Sequence, residues 1–240
     1  ESRYNREHIV KALDASLKRL NTDYIDLYQF HWPERATNYF GQLGYQSQEE
    51  SFTDFAETLQ ALEEQVQAGK IRHFGLSNET PWGVMKFISE AERLGLPRPV
   101  SIQNPYCLLN RSYEIGLAEI SCREKVGLLA YSPLGFGVLS GKYLTESVSA
   151  DARISLFPDY TRYSNTQAVS ATRQYVELAQ NHALDPAQMS LAYVNTRRFL
   201  TSTIIGATTL QQLKVNIESI DLALSDEVLK GIEAIHVAHP

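Results

Sequence analysis

The chain is short of most features that mark a specialised environment. Two of its 240 residues are cysteine, Cys107 and Cys122. Two cysteines make no disulfide ladder and no metal-ligand spacing, so the pattern suits free thiols in a reducing, cytoplasmic setting. No apolar run reaches the roughly 18 residues that a membrane-spanning helix needs, and no leader pattern opens the chain. Lys and Arg number 22 against 28 Asp and Glu, which leaves no basic footprint for nucleic acid or an acidic membrane. No strand-like run is followed by the G-x-G-x-x-G turn of a Rossmann site. An initiator methionine is also missing: the chain begins Glu1-Ser2-Arg3 and enters a helical pattern at once.

What is there is enough to bury a sizeable core, with 43% hydrophobic residues. Ile9, Leu13, Leu17 and Leu20 share one face of a helix over 5–20. A strand over 24–30 follows. Phe55, Leu59, Leu62 and Val66 mark the next helix, started at Thr53-Asp54 and stopped by Gly69. A strand over 71–76 precedes a helix with Thr80 as N-cap and Pro81 in its first turn, ending at Gly95. Then come a strand over 100–104, a helix near 112–124 and a strand over 127–131. Helices over 166–181 and 187–198 lead to a strand over 203–206. Helices over 209–219 and 225–236 close the chain. Strands separated by helices imply α/β architecture with parallel pairing. The connections 31–52 and 133–165 are too long for simple loops, and both follow strand ends, the active face of a (β/α)₈ barrel. A doubly wound open sheet is the alternative that the pattern allows.

The residue types just after each strand carry the chemistry. His31, in Gln29-Phe30-His31-Trp32-Pro33, could donate to a carbonyl oxygen or be an ordinary loop histidine. Ser77, Asn78 and Gln103 offer neutral donors and acceptors for a carboxamide, or helix caps. Tyr131 offers a flat face for a ring. The run Ser132-Pro133-Leu134-Gly135-Phe136-Gly137 lets backbone N–H groups approach a pyrophosphate, with Lys142 adding charge. Thr208 or Thr209 caps the helix that follows Gly206, leaving its N-terminus for a phosphate. Gln212 and Asn216 share one face of that helix, facing a ribose phosphate, an adenine edge or solvent.

In this order the motifs resemble the aldo-keto reductases. The stretches that carry the likeness are Leu17–Tyr28, Gly69–Arg72, Gly75–Asn78, Gln103–Tyr106, Tyr131–Tyr143 and Gly206–Ile217. The chain is similar to a bacterial NADP(H)-dependent group of that family and also to potassium-channel β subunits. The resemblance implies a partial (β/α)₈ TIM barrel, strands four to eight with their helices, in one domain over 1–240 whose first β/α units are missing. It implies NADP(H) as cofactor and an aldehyde or ketone as substrate. His31 matches the catalytic histidine. Ser77, Asn78 and Gln103 match the carboxamide contacts, and Tyr131 matches the ring-stacking aromatic. Ser132, Pro133, Leu134, Gly135, Phe136 and Gly137 match the pyrophosphate loop, with Lys142 and Arg153 beside it. Gly206, Thr208, Gln212 and Asn216 match the contacts to the adenosine and its 2′-phosphate. Val215 stands where some relatives have Glu.

The family's Asp, its proton-donating Tyr and the Lys that lowers that Tyr's pKa fall before residue 1 in this comparison. Asp26 and Tyr28 lie inside a strand and do not replace them. The expectation is therefore a carbonyl-reducing parent protein and little turnover from residues 1–240 alone, with open sheet edges that favour association. An NADPH-binding regulatory module is the second reading. A phosphate-binding aldolase or isomerase is the third reading; it predicts an acid–base pair or a Schiff-base lysine at strand ends, and no such lysine follows the first four strands. Trp32, Tyr39, Phe40 and Tyr45 are expected to line the substrate pocket. The central expectation is that His31, Asn78, Gln103, Tyr131 and Asn216 line a common cleft.

Overall fold

Local capping sets most helix boundaries in the structure, a computed structural model that describes residues 3–48, 51–145 and 148–240. Asn5 accepts the His8 N–H at 3.0 Å and opens α1 (Arg6–Leu20), which Asn21 closes at φ +53°. β1 (Ile25–Phe30) leads to α2 (Phe55–Gln67), capped by Asp54. β2 (Ile71–Ser77) leads to α3 (Pro81–Leu94), with Thr80 as N-cap and Gly95 at φ +66° as C-cap. β3 (Ser101–Pro105), α4 (Leu117–Glu124), β4 (Gly127–Tyr131) and α5 (Arg153–Leu156) follow. Then come α6 (Thr166–Asn181), α7 (Pro186–Asn195), β5 (Leu200–Thr203), α8 (Leu210–Glu218) and α9 (Asp226–Ala238). Among the described residues the strands lie in one sheet in the order β1-β2-β3-β4-β5, so the fold is α/β on a parallel sheet.

The chain divides into two compact units, Glu1–Asn104 with Gly116–Leu128, and Pro105–Ile115 with Leu129–Pro240. In the first, β1, β2 and β3 pair in parallel and in step. Phe30 lies beside Leu76, and Ser77 beside Gln103. A parallel register brings successive strand ends to one edge, so the residues after β1 and β2 and at the end of β3 come level. Leu59, Leu62, Phe74, Phe87 and Ile102 are buried beneath them. Gly75 keeps β2 thin at this point: a Cβ there would sit 2.5 Å from Ser101 Oγ and 3.2 Å from Gln29 Oε1.

In the second unit α6 packs on α9, and Tyr175, Met189, Leu191, Tyr193 and Ile232 are buried. A charged network ties its ends. Arg111, 6% exposed, pairs with Glu114 at 2.8 Å and Glu233 at 2.9 Å. Tyr106 Oη donates to Glu114, and Tyr193 Oη to Glu233 at 2.9 Å. Buried charges are tolerated when paired and hydrogen-bonded in this way.

Several sequence-based boundaries move. The stripe on α1 is buried at Ile9 and Leu13, but Leu20 is exposed in the last turn. The helix expected near 112–124 breaks at Gly116, whose φ of −155° separates a 3₁₀ turn (Ser112–Ile115) from α4. The helix expected over 187–198 ends at Asn195; Thr196 Oγ1 donates to the Tyr193 carbonyl at 2.7 Å and closes the turn. The last strand is 200–203 rather than 203–206. Ile204 still donates to Ala130 O at 2.8 Å, but the Gly206 carbonyl accepts from the Asn216 side chain, which draws the chain away from the sheet. The connection 133–165 contains short helices over Gly135–Ser140, Lys142–Leu144 and Arg153–Leu156 that periodicity did not show. Residues 49 and 50 of the connection 31–52, and 146 and 147 of 133–165, lie outside the described residues.

Candidate functional site

In the first unit the level strand ends bring four of the sequence-predicted residues together. Ser77 Oγ donates to the Gln103 carbonyl at 2.7 Å, and the Asn78 N–H donates to the same oxygen at 3.1 Å. Asn78 Nδ2 donates to the His31 carbonyl at 2.7 Å and to Ser77 Oγ at 3.1 Å. Gln29 Nε2 donates to Gln103 Oε1 at 2.8 Å, which leaves Gln29 Oε1 buried and without a partner. Helix capping does not explain Ser77 and Asn78, because Thr80 caps α3 by accepting the Gly83 N–H. Asn78 has a left-handed φ of +54°, a conformation that Asn adopts more readily than most residues. The His31 ring is exposed and lies 4.4 Å from the Trp32 ring and 6.2 Å from Phe40.

The segment that carries His31 is tied down by residues that sequence reasoning passed over. Glu34 accepts from the Tyr4 N–H at 2.6 Å, Arg3 at 3.0 Å and the Thr53 N–H at 2.9 Å. Burial alone would raise its carboxyl pKa; these donors outweigh it and hold the group below its usual range. Tyr4 Oη donates to the Trp32 carbonyl, and the Tyr4 ring stacks on Phe30 at 4.0 Å. Arg35 forks onto Glu79 at 2.5 and 3.1 Å. Glu79 and Asn104 follow directly on predicted residues in the sequence and carry no signal of their own. Tyr45, Phe52, Arg35, Thr80, Pro81 and Trp82 line an open cleft of about 600 Å³. Trp32, Tyr39 and Phe40 are not in that lining; they form a ring cluster around His31.

The second unit holds the other predicted residues. Tyr131 ends β4, and burial pushes its phenol pKa up, partly offset by a hydrogen bond and charge from Arg162. The Arg162 guanidinium also lies 5.9 Å from the Phe136 ring. Arg162 carried no sequence signal, lying inside the long connection 133–165. Ser132, Gly135, Phe136 and Gly137 all have positive φ. In this loop the Gly135 N–H donates to Ser132 O and the Gly137 N–H to Leu134 O, each at 2.9 Å. Those two groups therefore serve the loop's own tight turns instead of standing open to a pyrophosphate. Pro133 is buried and Leu134 half-buried. A Cβ at Gly137 would lie 3.0 Å from Lys142 Nζ, so the glycine makes room for that ammonium.

Thr209, rather than Thr208, caps α8, accepting the Gln212 N–H at 3.1 Å. Thr208 instead donates its N–H and Oγ1 to Gln212 Oε1, at 2.9 and 3.0 Å. In the first turn of α8 the Gln212 N–H is thus taken by Thr209, and the Gln212 side chain turns back to Thr208. Asn216 is buried and donates to Gly206 O at 3.2 Å, so both polar residues on this face turn back to the 206–208 segment. Arg153 is exposed at the start of α5. Among the described residues, Tyr143 Oη accepting from the Ile154 N–H at 3.2 Å links its neighbourhood to that of Lys142.

The Aldo/keto reductase family pattern matches residues 1–237. The chain is 56% identical to Protein tas of Escherichia coli (strain K12) over 238 residues, covering 97% of this chain and 67% of that protein. It is 37% identical to an aldo-keto reductase of Babesia bovis, covering 98% and 88%. It is 30% identical to a probable voltage-gated potassium channel subunit beta of Oryza sativa subsp. japonica, covering 98% and 69%.

Proposed function

Because the chain belongs to the aldo/keto reductase family, a family of oxidoreductases, we propose that it binds NADP(H) and serves the reduction of an aldehyde or ketone to an alcohol. The observation that carries this reading is the neutral cluster Ser77, Asn78 and Gln103 beside the His31 segment. A carboxamide needs one acceptor and one donor, and this cluster is built of hydroxyl and amide groups. The adjacent carboxylate, Glu79, is occupied by Arg35 and adds no free charge. The buried, unpartnered Gln29 Oε1 and the space that Gly137 leaves for Lys142 fit an amide and an anionic ligand respectively.

When bound, NADPH supplies the hydride. Ser77, Asn78 and Gln103 hold the carboxamide. Tyr131 offers its ring face to the nicotinamide. Lys142, with Arg153, offers positive charge to the phosphates. Thr208, Gln212 and Asn216 serve the adenosine end, for which Gln212 has to leave Thr208. His31 holds the carbonyl oxygen by a hydrogen bond and sets the reacting geometry. The barrel reading, strands four to eight of a (β/α)₈ barrel, belongs to this proposal, since it would lay these strand ends along one face.

None of these residues is assigned the proton donor, so the reading is tested at cofactor binding. Nicotinamide fluorescence should report saturable NADPH binding. Replacing Tyr131 by Ala should weaken it by about 3- to 10-fold, the range of one aromatic stacking contact. A wild-type chain that binds no NADPH at millimolar concentration overturns the proposal. The 37% identity to an aldo-keto reductase, against 30% to a channel subunit, favours the enzyme over a regulatory module.

A further inference from the structure

Two anchors hold the segment His31–Arg35 to the end of β2. At one end, Asn78 Nδ2 donates to the His31 carbonyl at 2.7 Å. At the other, Arg35 forks onto the Glu79 carboxylate at 2.5 and 3.1 Å and also donates to Thr80 Oγ1 at 2.9 Å. The fork is secluded, with side chains 10% and 3% exposed. Its base is rigid. The Glu79 N–H donates to Asn104 Oδ1 at 3.2 Å, and Asn104 Nδ2 returns a bond to the Glu79 carbonyl at 3.0 Å. The Thr80 N–H donates to the same carboxylate at 2.6 Å. Trp82 lies 4.9 Å from the Arg35 guanidinium, and Gly83 supplies no Cβ where the fork sits. Glu79 is thus fixed to β3 through Asn104, and Arg35 transfers that fixity to the His31 segment.

We infer that Arg35 and Glu79 are positioning residues for His31: their fork, seated on Asn104, fixes the segment whose other end presents the imidazole. The inference rests on the reading of His31 as the group directed at the substrate carbonyl. A planar fork fixes direction as well as distance, which a point charge does not. Arg35→Lys therefore keeps the charge and loses the geometry. Glu79→Gln keeps the shape and removes one fork contact's acceptor.

The chain has six histidines, so ¹⁵N-histidine labelling gives a small imidazole spectrum, with His31 assigned by its loss in His31→Gln. In either variant the His31 signal should shift and broaden, while His73, His182 and His236 stay in place and the melt stays cooperative. An unmoved His31 signal in both folded variants overturns the inference, even if the melting temperature drops. Should one variant fail to fold, the other decides alone. Should both fail, an Asn104→Asp chain, which loses the amide donor under Glu79, must move His31 for the inference to stand. Absence of NADPH binding by the wild type sinks the proposed function instead, and the imidazole spectrum still reports on the fork.

Discussion

Replacing Gly83 by Ala should destabilise the protein, against the usual sign for a glycine in a helix. In an unencumbered helix the change gains about 1 kcal/mol from propensity. Here the new Cβ would fall 2.5 Å from Arg35 Nη2 and inside contact distance of the Glu79 carboxylate. Neither group can retreat cheaply. Glu79 is held through its backbone by Asn104 and through its carboxylate by the Thr80 N–H, and Arg35 is closed in by Trp82. Breaking a buried ion pair costs about 3–5 kcal/mol, so the net loss is about 2–4 kcal/mol once the helix gain is subtracted. For a chain of this size about 3 kcal/mol lowers the melting temperature by roughly 6–12 °C. The same substitution in a Glu79→Ala background, where the carboxylate is gone, should become neutral or mildly stabilising. Gly95→Ala is the contrast. A Cβ there meets nothing within 4 Å, but the backbone sits at φ +66°, so its cost of about 1–2 kcal/mol should not depend on Glu79. Urea unfolding of the six chains, namely wild type, each glycine variant, Glu79→Ala and the two double variants, measures each term. An equal effect of Gly83→Ala with and without Glu79 would refute the reasoning.

Acid should unfold the protein through identifiable groups. Glu34 and Glu114 have folded-state pKa values below the usual carboxylate range: burial pushes both up, but hydrogen bonds from Tyr4, Arg3 and Thr53, and from Arg111 and Tyr106, outweigh it. Their contribution is complete above the unfolded value of about 4.3 and is lost as pH falls through the folded values. His236 adds in the same direction. Burial and then Arg111 lower its pKa, so the unfolded chain protonates first and stability begins to fall below about pH 6.5. Melting temperatures between pH 7 and 3 should decline, and Glu34→Gln should flatten the lower limb; a flat profile contradicts the assignment. Thiol labelling should also separate the two cysteines. Cys107 is fully buried, which pushes its thiol up to about 11, whereas Cys122 is exposed. Iodoacetamide should leave one adduct on the native protein and two in urea by intact mass, and rapid native double labelling would refute the burial.

What could be read from the sequence alone were features whose causes lie within a few residues. Asp54, and Thr80 with Pro81, each cap a helix by a bond to an N–H two or three positions on. Their helices therefore start where the local pattern places them. Ser77 and Asn78 were legible for the same reason: a polar side chain at the end of an apolar run marks a strand end. What depended on distant neighbours was not legible. Arg35 meets Glu79 across 44 residues, and Arg111 meets Glu233 across 122. The β-branched pair Ile204-Ile205 looks like a strand, yet the strand ends at Thr203 because Asn216 takes the Gly206 carbonyl. Caps and strand ends are local bonds that any copy of the segment would make. Ion pairs, strand register and the turn of a side chain toward its partner exist only once separate segments are packed together, and that packing, decided by the chain as a whole, sets how His31 is held.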